Sequence, residues 1–200
     1  MTQHPTAWTN GNRALGARRR CLRLALLLLC AFVTHVAASA TQIHDARTLL
    51  VEGVYRVGAR IDFNLNETLR DALQNGVPLV LELRIEVIHE REWLWPERVA
   101  YLRQRFRLEY HALTQLYLVR NFSTGVQYSF RDLSEALEYV GDVYDLPLID
   151  ANLLKPDQTY QVRMRADLEI ESLPTPVRLW AYLGSDWNLQ SDWYQWPLQP

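Results

Sequence analysis

The sequence predicts a mainly β protein: an antiparallel β-sandwich, immunoglobulin-like in general architecture, with two short amphipathic helices. Three observations carry that expectation. Long stretches alternate apolar and charged residues strictly, the mark of strands with one buried face. Only two stretches show helical spacing with plausible ends. The composition is that of an ordinary globular chain, with 48% hydrophobic and 22% charged residues and only 8 Gly and 9 Pro in 200. That excludes collagen, a fully disordered chain and a multi-span membrane protein.

The elements follow in order. Residues 48–51 and 54–65 form a strand pair broken at Glu52-Gly53. Leu65, Leu69, Ala72 and Leu73 then fall at helical spacing. Asn64, three residues before Glu67, offers a variant capping box, and Asn75-Gly76 ends this helix near 65–75. Residues 77–90 alternate, with Leu79, Leu81, Leu83, Ile85 and Val87 against Glu82, Arg84 and Glu86. Residues 99–113 repeat the pattern, and Pro96 interrupts the ladder in the aromatic loop between them. Residues 115–121 and 126–130 flank a Phe-Ser-Thr-Gly turn. A second helix is predicted over 132–140, capped by Asp132 and stopped by Gly141. Strands are expected again at 160–170, 177–183 and 192–198. No low-complexity linker divides residues 41–200, so they are read as one domain.

Residues 1–40 have a different character. Arg18, Arg19, Arg20 and Arg23 precede an apolar run from Leu24 to Val33, and Ala38-Ser39-Ala40 follows. A basic region, a short apolar region and a small-residue site form a secretory signal peptide. The apolar run is half the roughly 20 residues that a spanning helix needs. Cleavage after Ala40 is therefore expected, with retention as an inner-membrane anchor facing the periplasm as the alternative. Ordinary secretion is favoured over twin-arginine export. All 23 acidic residues but only 16 of the 21 basic ones follow Ala40, so the mature chain carries −7. That charge offers no footprint for nucleic acid. Both cysteines, Cys21 and Cys30, lie in the leader, which excludes mature disulfides and thiolate chemistry.

Several segments together carry a resemblance. They are Gly76-Val77-Pro78-Leu79, Trp93-Leu94-Trp95, residues 107–114, Leu146-Pro147-Leu148, residues 173–178 and residues 191–196. In this order and spacing the chain resembles the proteobacterial domain-of-unknown-function family number 4390 over nearly all of residues 43–198. The resemblance implies an exported, uncharacterised protein, and some members are encoded beside a membrane sensor histidine kinase of the nitrogen-regulation type. It supplies no catalytic residues. The Trp-Leu-Trp-Pro-Glu loop departs from the paired tryptophans and aspartate associated with the family.

Chemical motifs are sparse. The mature chain has three histidines, His44, His89 and His111, and six serines, none in a nucleophile-elbow context. Glu109 and His111 share a strand face, but Arg107 beside them suggests surface pairing. His89 and His111 fall on opposite faces of their strands, so no metal site is expected, and no cofactor is. Arg103, Arg105 and Arg107 form a basic row whose default role is cross-strand ion pairing and whose functional role would be an anionic partner. Six of the seven tryptophans are in the mature chain. Trp180 and Trp187 are expected in the core or at corners. Trp93, Trp95, Trp193 and Trp196 are the aromatic candidates for a partner surface. The expected function is a non-catalytic periplasmic interaction or accessory module with a protein partner, linked to an inner-membrane sensor histidine kinase. On this view the membrane is touched only through an uncleaved leader. The alternative is a periplasmic small-ligand binder or a weak hydrolase using Glu109 and His111.

Overall fold

The computed structural model describes residues 41–200 apart from Glu92, and the expected signal segment lies outside the described residues. Nine strands form two antiparallel sheets. The first contains β1 (Thr41–Val51), β2 (Val54–Phe63) and β7 (Asp142–Asp150), in the order β1-β2-β7. The second has the order β6-β5-β4-β3-β8-β9, built from β3 (Leu79–His89), β4 (Glu97–His111), β5 (Leu116–Asn121), β6 (Gln127–Phe130), β8 (Tyr160–Leu168) and β9 (Tyr194–Leu198).

The apolar faces of both sheets supply one core, in a sandwich-like arrangement. Tyr55, Val57, Ala59, Ile61 and Phe63 alternate inward along β2. Opposite them lie Leu79, Leu81, Leu83, Ile85 and Val87 of β3, Leu108 of β4, and Val162, Met164 and Ala166 of β8. Each of these is under about a tenth exposed, as the period-2 pattern requires.

Both anticipated helices form. In α1 (Glu67–Gln74) the cap is Asn66, not Asn64: its side chain accepts from the Leu69 amide at 2.9 Å. Leu69 and Leu73 are fully buried. Gly76 follows at φ +82°, which only glycine adopts without strain. α2 (Leu133–Gly141) starts after Asp132, whose side chain makes no capping hydrogen bond, contrary to expectation. Ala136, Leu137 and Val140 face the core. Gly141 is the last residue of α2, and a Cβ there would overlap the carbonyl oxygen of Ile61 on β2. The glycine serves close packing.

Three elements differ from expectation. Residues 177–183 belong to a helix, α3 (Thr175–Leu183), not a strand. Its Val, Leu, Trp and Tyr suit either state, and Pro174 and Pro176 at the N-terminal turn decide for helix. β7 was not anticipated. It carries Pro147 and a bulge with Asp145 at φ +50°, both tolerable because β7 pairs only with β2 and is an edge strand. β1 begins seven residues earlier than residue 48, because a bulge between His44 and Arg47 breaks its alternation.

Gly141→Ala and Gly76→Ala separate the two glycine roles. Alanine favours helix by about 1 kcal/mol, but the overlap at 141 costs more, so Gly141→Ala should lose roughly 1–3 kcal/mol net. Gly76 has open space around it, so only backbone strain acts and the loss should be about 1 kcal/mol. Denaturant melts of both variants check the ranking, and an unaffected Gly141→Ala would refute the close approach.

Candidate functional site

The candidate residues fall on one sheet face and at the two ends of the sandwich. On the outer face of the larger sheet, the register places Glu82 beside Arg105 and Asp167, Arg84 beside Arg103 and Arg165, and Glu86 beside Tyr101 and Arg163. This puts three arginines abreast across β4, β3 and β8. Diagonal ion pairs relieve the repulsion. Arg103 Nε donates to Glu82 at 2.6 Å, and the same guanidinium reaches Glu169. Arg84 binds Asp167. Arg163 Nε donates to Glu86 at 2.6 Å, and Arg98 donates to its other oxygen at 3.0 Å.

These pairs are not a solvated lattice. Glu82 is 6% exposed and Glu86 5%, so the carboxylates lie beneath the arginine side chains. Burial alone would raise the Glu86 carboxyl, but hydrogen bonds from Arg163 and Arg98 outweigh it and hold it below the usual carboxylate range. The hydrogen bond to Glu82 raises Arg103. Burial, and then the charge of Arg84, lower Arg165, whose guanidinium lies 5.7 Å from the Trp193 ring centre.

Arg103, Arg105 and Arg107 are thus each engaged within the chain. Arg105 approaches Glu169 at 3.6 Å and covers the Phe122 ring, and Arg107 Nε donates to Glu109 at 2.6 Å. His111 Nδ1 lies 3.0 Å from Thr114 Oγ1, so Glu109 and His111 are engaged with different partners. His89 packs against Tyr160 with ring centres 5.3 Å apart and planes tilted by 40°.

The tryptophans divide sharply. Trp193 is half-buried under Arg163 and Arg165, and Trp196 donates from Nε1 to Thr48 Oγ1 at 2.7 Å, tying β9 to β1. Trp187 packs against the core as expected. Trp180 does not: it is 72% exposed on α3. Trp93 and Trp95 are 92% and 90% exposed, with Leu94 between them also exposed.

The loop that carries them sits at one end of the sandwich. Glu90 N donates to Thr159 O, Tyr160 OH accepts from Lys155 N, and Ala151 N donates to Gly53 O at the β1–β2 tip. The exposed Leu49, Leu50, Val51 and Leu153 belong to the same end. The sequence had marked the tryptophans, but their joining with the β1–β2 tip depends on long-range pairing. A concavity of about 700 Å³ between β2 and α2 mixes Arg60 and Arg70 with Asp62, Asp132, Glu138 and Asp142.

The buried carboxylate predicts a pH signature. Glu86 has a lower pKa folded than its unfolded value of about 4.3, so its stabilisation is complete above that value and is lost as pH falls through the folded one. Glu86→Gln should cost about 2–3 kcal/mol at pH 7, because both arginines keep a solvent-facing side. The gap from wild type should close below about pH 4. Melts across pH 3–7 measure it, and a gap that is constant with pH would contradict the pairing.

No curated protein and no solved structure matches the chain. The family described as a domain of unknown function, DUF4390, matches residues 38–197. The match spans nearly all of the described domain, and the chain belongs to that family.

Proposed function

We propose that the protein is an exported, non-catalytic interaction module that engages a protein partner through the end bearing Trp93, Leu94 and Trp95. The observation that carries this is the near-complete exposure of two tryptophans on one loop tip. Large apolar side chains left in water at a tip mark contact sites, and tryptophan is the residue most enriched among binding hot spots. Leu50 and Val51 of the β1–β2 tip add exposed apolar surface at the same end of the sandwich. The basic face is the weaker candidate, since each arginine of the row already has a carboxylate.

Export rests on the leader, with release after Ala40 as the leading form. An inner-membrane sensor histidine kinase is the partner class that the family resemblance suggests. The hydrolase alternative through Glu109 and His111 has less support, because the two side chains are held by different neighbours.

Capture of partners from periplasm and solubilised inner membrane tests the reading. Trp93→Ala combined with Trp95→Ala should melt as wild type does and reduce capture at least tenfold, a loss of about 1.4 kcal/mol or more. Arg105→Glu should cost under about 1 kcal/mol in stability and leave capture intact. A folded Arg105→Glu that captures nothing, beside a double tryptophan variant that still binds, would transfer the site to the basic face.

A further inference from the structure

α3 is built the wrong way round for an ordinary surface helix. It buries Ala181, half-buries Val177 and Arg178, and turns its large apolar residues to solvent. Leu179 is 64% exposed, Trp180 72%, Tyr182 60% and Leu183 83%. Pro176, Leu179, Trp180 and Leu183 recur at i, i+3, i+4 and i+7, so they form one stripe along a helix about 13 Å long. Among the described residues, no helix is long and apolar enough to cross a membrane.

The position of α3 identifies what covers it. The segment that returns from α3 leads through Trp187 to residues 191–194, which line one hollow together with Thr41, Gln42 and Ile43. The described chain therefore enters at the α3 end. β1 then runs 11 residues, roughly 35 Å, to the tip that lies with the tryptophan loop. In the sequence, the apolar run Leu24–Val33 stops only seven residues before Thr41. Seven residues reach at most about 25 Å. While that run is in a bilayer, Thr41 lies within about 25 Å of lipid, which brings α3 within reach of the membrane surface.

We propose that α3 lies in the lipid interface of the membrane that the leader enters. Leu179 and Leu183 face the acyl boundary, with Trp180 at headgroup level, where amphipathic rings are favoured; Tyr182 lies off the stripe and donates to Glu171 Oε1 at 3.4 Å. The attraction is apolar. The single cation of α3, Arg178, donates to the Glu171 carbonyl, and residues 41–200, which carry −7, have no pull towards anionic headgroups. This extends the membrane contact beyond the leader, and it rests on the form of the export reading in which the leader is retained.

The test uses the full chain with Cys21→Ser and Cys30→Ser, reconstituted into phosphatidylcholine vesicles. A polarity-sensitive fluorophore is placed through Leu183→Cys or, as the far-end control, Leu94→Cys. The label at 183 should shift to the blue and brighten severalfold on vesicles, and persist in about 0.5 M salt, where charge attraction is screened. The label at 94 should keep its aqueous spectrum. Trp180→Asp should cut the response at 183 severalfold without altering the circular dichroism. A vesicle-bound chain whose residue 183 stays in water overturns the proposal for α3 alone, as does an equal shift without vesicles, which reports self-association. A chain that never enters vesicles overturns the leader reading beneath it.

Discussion

The pairing of Glu82 and Glu86 with the arginines of β4 and β8 is the constraint on which the rest of the larger sheet depends. β3 is an interior strand of that sheet, and the smaller sheet covers only one of its faces. The other face carries two carboxylates that are almost wholly buried. A buried carboxylate without partners would cost several kcal/mol, so the arrangement is stable only while the guanidinium groups stay in place. That requirement fixes register. A slip of one residue along β4 or β8 would turn that strand's arginines to the core face and its own apolar row, Leu108 on β4 or Val162 and Met164 on β8, to the outer face.

A face closed in this way has little left to offer a partner. Its arginines are committed to carboxylates or to the rings of Phe122 and Trp193. Large apolar side chains remain exposed at both ends, Trp93, Leu94 and Trp95 at one and the α3 stripe at the other, and also at Tyr128 on β6 and Tyr144 on β7. β1 runs 11 residues from the hollow beside residues 191–194 to the β1–β2 tip, so the two ends lie a strand's length apart.

Most strands were legible because their alternation is a local property. The segments 77–90 and 99–113 gave the correct faces, and the turn at residues 122–125 lies where glycine placed it. The burial of the charged face was not legible, since Glu86 is covered by Arg163, 77 positions away. α3 was misread because its β-branched and aromatic residues outweighed two prolines whose positions mark a helix start. β7 was hidden by Pro147 and by the bulge at Asp145, which its edge position tolerates. For the tryptophans, residue type suggested burial. Only the loop around Pro96 hinted that Trp93 and Trp95 would remain outside, and no local signal set Trp180 apart from Trp187.

Hydroxyl-radical footprinting of aromatic side chains, in intact cells and on the purified chain, tests most directly whether contacts lie at the ends and the arginine face is closed. The purified protein should oxidise readily at Trp93, Trp95 and Trp180 and slowly at Trp187 and Trp196. In cells, protection should appear at Trp93, Trp95 and Trp180, while Tyr101, at the edge of the arginine face and 46% exposed, reacts as before. Protection of Tyr101 with all three end tryptophans still reactive would contradict the account.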